Sequence, residues 1–368
     1  MLGCLKTEPS DRFVFKFFFP LCIVHNLMKI LIFEWLNSGG LWLDGVTPDP
    51  DCSMQRQGFQ MMSAIADDFS LGGFEIATLI DARMARTFEQ TNWDKRLVGE
   101  TDSVCETLLE IGKEVDHVLI IAPETESILV QCLDWLNPIE EKILNPGRRF
   151  TQLTSNKQET FEHCKANGFE SFPDGYNYQK VLNDSKLVDL WSGPWVLKPI
   201  DGAGSDEVHL IHESTNQTPT LSREPDQYRI EQFVPGVPVS VSVLCGEAYE
   251  LLTPTIQTFD QPLGHYVGAE YPIDMAISQR AIKLAATVMK SLPKTRGYVG
   301  LDLVIGESDG QPNDKLIEVN PRLTTSYLRL REIYHETHRE NLAMRMLEKA
   351  TEPMTNSPIT CTFRERSL

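Results

Sequence analysis

The sequence predicts an α/β protein in two parts, a parallel-sheet domain followed by a larger α+β region. Three observations carry this. Apolar runs of strand length alternate with amphipathic helical periods from Met28 to about residue 145. The texture changes after Pro146-Gly147. The later region sets a glycine-rich loop and an acid-bearing hairpin among its strands. The expected divisions are an extension over residues 1–27, an α/β domain over 28–147, a second domain over 148–350 and a loose polar tail over 351–368.

In the first part, residues 28–33 form a continuous apolar strand. Residues 53–69 read as a helix, with Met54, Met61, Ile65 and Phe69 near one face and Ser53 as N-cap. Residues 74–80 and 117–122 are strands, and 102–114 and 125–136 are helices, the last ended near Asn137-Pro138. This βαβ pattern implies a parallel sheet buried on both faces. In the second part, a helix near 155–167 leads to the strand WVLK at 195–198. Further strands are expected near 207–212, 228–234 and 239–244, then a helix at 275–291. Two strands and one long helix from about 326 to 349 complete it. No repeat or low-complexity tract is present.

The chain has 368 residues, 41% of them hydrophobic, enough to bury the cores of two or three domains or subdomains. Its net charge of −18 argues against nucleic-acid or anionic-membrane partners, which need a basic face. Eight cysteines lie at 4, 22, 52, 105, 132, 164, 245 and 361, none at CxxC spacing, so reduced thiols in a cytoplasmic protein are expected. His335 and His338 read as solvated helix residues without a completing zinc ligand. The apolar run 13–24 is too short to span a membrane. Glu8 and Asp11 precede it and no small-residue cleavage site follows, which argues against a signal peptide. Residues 1–27 are therefore expected to be a disordered or non-native extension, with a membrane anchor as the alternative.

Four segments bear on chemistry. In WVLKPIDGAGSDEVHLI (195–211) a strand delivers Lys198, and Gly202 and Gly204 let the backbone approach a ligand. Loop N–H groups and the Ser205 hydroxyl can hold phosphate oxygens beside the Lys198 charge. No GK[ST] follows, so this is not a Walker A loop, and alone it equally fits an ordinary glycine turn. In GYVGLDLVIGESDGQPNDKLIEVNPR (297–322), two strands flank a turn near Gly310. Asp302 faces one way and Leu301 and Leu303 the other; Glu318 and Asn320 share a face opposite Ile317 and Val319. Folding about Gly310 sets Asp302 opposite Glu318. Such repelling carboxylates, with an Asn carbonyl nearby, form an oxygen set suited to Mg²⁺ shared with phosphates. The rival is a solvated hairpin face. YRIEQFVPG (228–236) is a strand entering a turn whose backbone can meet an adenine edge, and Lys157 opens a helix in TSNKQETF.

The order Lys157, Lys198, glycine loop, Glu231, Asp302, Glu318-Val-Asn320-Pro-Arg322 resembles the ATP-grasp superfamily over about residues 145–350. The resemblance implies an ATP-grasp fold of two α+β subdomains, preceded by a Rossmann-like pre-ATP-grasp domain, with a lid at about 155–230. It implies that Lys157 and Lys198 contact the ATP phosphates and that Asp201, Gly202, Gly204 and Ser205 close over them. Glu231, Gln232, Phe233 and Val234 would bind adenine; Asp302, Glu318 and Asn320 would bind Mg²⁺, or Mn²⁺ in its place. Arg322 and Lys198 would be the catalytic residues. One departure stands out: Gly236-Val-Pro238-Val-Ser240 lacks the acid that holds the ATP ribose in many members.

FEWLNSGG (33–40), RQGFQMMSAIADDF (56–69), VPVSVSVL (237–244) and NPRLTTSY (320–327) resemble the subfamily containing tyramine–L-glutamate ligase of methanofuran biosynthesis. That implies a carboxylate–amine ligase working through an acyl phosphate on small-molecule substrates. Glu34 would receive the donor's ammonium, Thr324, Thr325 and Tyr327 would line the acceptor side, and Trp35 and Trp42 would pack an aromatic amine. Carboxylation, carboxylate phosphorylation and non-catalytic ATP binding are the competing readings. No stable membrane insertion is expected, and homo-oligomerisation is left open.

Overall fold

The computed structural model describes residues 27–49, 51–184, 186, 194–202, 204, 207–212, 219–260, 264–307 and 313–363. The expected extension lies outside these residues except for Leu27, as do Cys4, Cys22 and Ser205. The other six cysteines are free thiols.

The first sheet consists of β1 (Lys29–Glu34), β2 (Glu75–Asp81), β3 (Asp94–Val98) and β4 (His117–Ile121), in the order β3-β2-β1-β4 with every pair parallel. Helix Ser53–Leu71 carries β1 over to β2, and helix Val104–Glu114 carries β3 over to β4. Successive strand residues point to opposite faces. Ile30 and Ile32 join Met61, Met62, Ile65 and Phe69 of the first helix in one core. Leu31 and Phe33 join Val104, Leu108 and Ile111 in another. Burial on both faces explains why these strands read as continuous apolar runs. Edge strand β3 (DKRLV) buries only Val98, so it leaves no alternation to read. Ser53 is not the N-cap: extended Cys52 takes that place without a side-chain bond, and Ser53 is already helical.

A small antiparallel sheet follows: β5 (Gly175–Asn177), β6 (Trp195–Pro199), β7 (His209–Ile211) and β8 (Tyr228–Gln232), ordered β5-β8-β6-β7. Its core is Tyr178, Val181, Leu197, Tyr228 and Ile230. The large sheet contains β9 (Gly236–Cys245), β10 (Tyr249–Leu251), β11 (Thr255–Phe259), β12 (Tyr266–Glu270), β13 (Gly297–Gly306), β14 (Lys315–Asn320) and β15 (Cys361–Phe363). β13 pairs antiparallel with β9 along its whole length and carries β14 on its other side. Val239, Val241, Val243, Leu301, Leu303 and Ile305 pack beneath helix Met275–Ser291 through Ala281, Leu284 and Val288. Among the described residues no helix is long and apolar enough to cross a membrane.

Two expectations at the C-terminus are corrected. The segment 326–349 is not one helix: Ser326–Ile333 passes into a π turn at Tyr334–His338, Arg339 turns left-handed at φ 52, and Leu342–Thr351 starts anew. Asn341 imposes the restart, because its Oδ1 caps Met344 N–H while its Nδ2 bonds the Asp68 carbonyl. His335 is exposed as expected, but His338 stacks on Tyr334 with centroids 4.6 Å apart. The tail is not loose throughout. β15 pairs parallel with β10, and Ile359, Cys361 and Phe363 pack against the large-sheet core.

Removing residues 359–368 therefore uncovers the β10 edge and takes three apolar side chains from the packing, a loss of roughly 2–3 kcal/mol at the usual value of buried area. Thermal unfolding of the shortened chain is expected several degrees below that of the full chain. An unchanged transition would show that β15 contributes nothing to the fold.

Candidate active site

The three sheets enclose a cavity of about 480 Å³, within the range of small-molecule sites. The first sheet contributes the carboxyl ends of β1 and β4, through Glu34, Leu36, Ile121, Ala122 and Pro123. This is where open α/β sheets present ligands. The small sheet contributes Lys198 and Glu231 to Val234, and the large sheet contributes Asp302, Glu318, Asn320 and Arg322.

Antiparallel pairing sets Asp302 directly opposite Glu318. The register then shifts, and Leu303 pairs with Leu316. Ile317 is the extra residue of this bulge. Leu316 takes the core place, and Ile317 lines the cavity instead of facing away from it as strict alternation predicts. Asp302 is pinned by Gln257 Nε2 on Oδ1 and Asn320 Nδ2 on Oδ2, each at 2.9 Å. Burial, then repulsion from Glu318, pushes its carboxyl up to about 6. Two facing acids beside two amide side chains are an oxygen set that a hard divalent cation fits. No grouping of three or more His, Cys, Asp or Glu exists among the described residues, so phosphate or water oxygens would complete such a site.

Two ammonium groups face this pair. Lys157 Nζ lies 2.9 Å from Glu318 Oε1 and donates to the Gly202 carbonyl at 2.8 Å. Lys198 Nζ lies 2.5 Å from Glu231 Oε1, and its burial lowers its proton affinity. Glu231 also bonds Arg229, so its buried carboxylate is occupied, and the Gln232 and Phe233 N–H groups donate to the Asp174 and Pro194 carbonyls at 2.9 and 3.0 Å. Gly202 and Gly204 line the cavity, the latter at φ 72. Asp201 is a correction. Its carboxylate pairs with Arg223 at 2.7 Å and accepts Glu126 N–H at 2.9 Å, and it does not line the cavity.

Arg322 Nε and Nη2 donate to Glu124 Oε2 at 3.1 and 2.9 Å. Burial would weaken its hold on the proton, but Glu124, Glu318 and Asp302 more than offset that and keep it above its ordinary value. Glu34 ends β1 with its carboxylate in the cavity, taking Asn37 N–H at 2.9 Å and Asn37 Nδ2 at 2.5 Å. Burial pushes it up to about 7 against those bonds. Gly58 leaves room for it, since a Cβ there would sit 2.4 Å from Glu34 Oε1.

Thr324 and Thr325 line the cavity, and Ser326 joins them. Tyr327 does not. It is fully buried and donates to Asp68, because the first turn of its helix points it into the interdomain core. Trp35 is likewise core, stacked on Trp135 at 6.1 Å, and Trp42 lies under the Arg83 guanidinium. Neither reaches the cavity, and among the described residues the aromatic side chains that do are Phe233, Phe259 and Tyr266. Sequence reasoning missed Glu124, Gln257 and Tyr266. None sits in a motif, and chain folding alone brings them to the site.

Family profiles match both parts of the chain: one described as an ATP-grasp domain covers residues 154–326, and one described as a pre ATP-grasp 3 domain covers 74–148. A tyramine–L-glutamate ligase of Methanocaldococcus fervens is 24% identical over 302 residues, covering 81% of this chain and 87% of that one. A solved structure from Archaeoglobus fulgidus, assigned to the ATP-grasp superfamily, superposes with a TM-score of 0.63 at 20% identity, over 87% of this chain and 88% of that one. An L-amino acid ligase from Bacillus licheniformis gives 0.58 at 16% identity, over 89% and 74%. At these identities the superpositions carry the fold.

Glu34 offers a pH test. Its folded value of about 7 lies above the ordinary 4.5, so the native state binds its proton more tightly than the unfolded chain. The resulting stability, roughly 3 kcal/mol, is fully present below about pH 4.5 and is lost as pH rises through 7. The Tm of the wild type minus that of Glu34→Gln is expected to fall across this window and level off above it. A pH-independent difference would show that Glu34 is not buried as described.

Proposed function

Because the chain belongs to the ATP-grasp superfamily, with a pre-ATP-grasp domain ahead of the grasp, we propose that it is an ATP-dependent, ADP-forming ligase joining a carboxylate to an amine. The observation that carries this reading is the convergence of the Asp302–Glu318 pair, Lys157, Lys198 and Arg322 on one cavity.

Asp302, Glu318 and Asn320 are the residues to hold Mg²⁺. When bound, the cation neutralises charge on the ATP phosphates. Lys157, Lys198 and the loop amides at Gly202 and Gly204 hold the phosphates from the other side, and the backbone of Glu231 to Val234 takes the adenine. A carboxylate oxygen of the donor attacks the γ-phosphorus as the bond to ADP breaks, giving an acyl phosphate. The amine then attacks the acyl carbon, loses a proton and expels phosphate. Arg322 faces the developing negative charge. The small sheet and its glycine loop cover the site and keep water from the intermediate.

For the substrates we propose the γ-carboxylate of L-glutamate and an aromatic primary amine such as tyramine, as in methanofuran-type cofactor biosynthesis. The relative at 24% identity supports this, as does Glu34, a buried carboxylate that lines the cavity. With Trp35 and Trp42 excluded, Phe259 and Tyr266 are the rings available to an aromatic amine. Purified protein with Mg-ATP, glutamate and tyramine is expected to yield ADP and a glutamyl-tyramine mass. ADP release with another amino acid alone would overturn the substrates and leave the ligase. ATP binding without carboxylate-dependent ADP release would overturn the ligase.

Two substitutions follow from these roles. Glu318→Gln keeps the shape and removes one charge from the acid pair, and turnover is expected to fall at least ~100-fold. Near wild-type turnover at limiting Mg²⁺ would contradict the metal role. Lys198→Ala is expected to weaken ATP far more than adenosine, measured by calorimetry, and equal weakening would mark Lys198 as structural.

A further inference from the structure

Arg322 and Glu124 meet across the two parts of the chain. Arg322 lies two residues beyond β14, and Glu124 lies three beyond β4, after cavity-lining Pro123. Their side chains are 13% and 2% exposed, and Nε of Arg322 lies 2.9 Å from Glu124 Oε1. Together with the bonds to Oε2, Nη1 donates to the Leu323 carbonyl at 3.2 Å. A guanidinium has five N–H donors in a rigid fork. Three are committed here, two of them to one carboxylate, so the plane of the group is set and two donors remain for the cavity.

The loop carrying Glu124 is itself held. Leu129 N–H donates to the Pro123 carbonyl at 3.0 Å and Ser127 N–H to the Glu124 carbonyl at 3.1 Å. Glu126 and Ser127 both adopt left-handed backbone, at φ 51 and 62. Two consecutive side-chain-bearing residues in that region are rare, and they persist only where the surroundings over-determine them.

Arg322 also feels Glu318 and Asp302. These are the same acids assigned to the cation. A cationic side chain on a flexible stem beside such a pair would otherwise turn toward it and occupy the carboxylates as an ion pair.

We infer that Glu124 is a positioning residue: from the first domain it holds the Arg322 guanidinium away from Asp302 and Glu318, so that Arg322 does not compete with a divalent cation for them and stays directed at the transferred group. The catalytic part of the inference rests on the ligase reading; the electrostatic part does not. Without the Glu124 charge, Arg322 competes with the cation.

The test is a double-mutant cycle read two ways on the full chain. Free Mn²⁺ is titrated by electron paramagnetic resonance in the presence of ADP, with no turnover involved. Glu124→Gln is expected to weaken Mn²⁺ about tenfold and to lower kcat by about 10–100-fold, the size of effect seen when a group orienting a metal site is lost. The KM for ATP is expected to change far less than kcat. In an Arg322→Ala background, Glu124→Gln is expected to cost Mn²⁺ affinity nothing further, because no arginine remains to compete. Glu124→Asp keeps the charge, and a thermal transition near that of wild type is expected with intermediate Mn²⁺ affinity; it serves if the glutamine variant fails to fold. Wild-type Mn²⁺ affinity in both Glu124 variants, or equal losses with and without Arg322, would overturn the inference. Absence of turnover in the wild type with every carboxylate and amine pair would sink the ligase reading alone, and the Mn²⁺ cycle would still decide the role of Glu124.

Discussion

Two carboxylates face each other across β13 and β14 in a buried cleft, and this repulsion is the constraint on which the rest of the site depends. Asp302 and Glu318 cannot both stay charged there without compensation. The structure supplies it from several sides: Lys157 on Glu318, amide donors on both oxygens of Asp302, and the Arg322 charge acting on both from its place on Glu124. Each compensating group comes from a different element. The acid pair thus links helix Lys157–Ala166, β11 and the hairpin into one electrostatic unit.

The cationic groups are themselves anchored by acids that face away from the acid pair. Lys198 is held by Glu231 and Arg322 by Glu124. Removing a partner from such a buried pair costs far more than the pair contributes, because a bare charge is left behind. Geometry is therefore maintained at the expense of tolerance to substitution. Glu34 is a different case. It is buried with amide and backbone donors bonded to it, and burial outweighs both them and the Arg322 charge, which leaves a carboxylate under-compensated at the end of β1. An arriving ammonium group would supply the missing charge, and this is the physical basis for placing the donor there.

How much was legible in the sequence varied with the range of the interaction. The continuous apolar runs of β1 and β4 were legible because Ile30 to Phe33 and Val118 to Ile121, buried on both faces, are unbroken by a polar residue. β3 was not, since its exposed edge carries Asp94, Lys95 and Arg96. The facing of Asp302 and Glu318 followed from counting about Gly310, but the bulge beyond it did not, and Ile317 changed faces as a result. Tyr327 sits in the polar run NPRLTTSY, and nothing local indicates that its hydroxyl reaches Asp68, 259 positions away in the chain.

The sequence by itself determined the apolar strands and amphipathic helices of the first domain, its parallel sheet, the glycine loop behind Lys198 and the acid-bearing hairpin. These depend on periodicities of two and 3.6 and on the conformational freedom of glycine, all of which act between near neighbours. Only the tertiary structure decided which charges meet. Glu124 finds Arg322 across 198 positions and Gln257 finds Asp302 across 45, through packing of whole sheets that no local pattern encodes. It also decided that Trp35 and Tyr327 belong to cores, that Trp42 packs half-buried against one, and that Asp201 turns from the cavity toward Arg223. A side chain's destination depends on what the rest of the chain places beside it, and that is set by the burial of apolar faces far away in sequence.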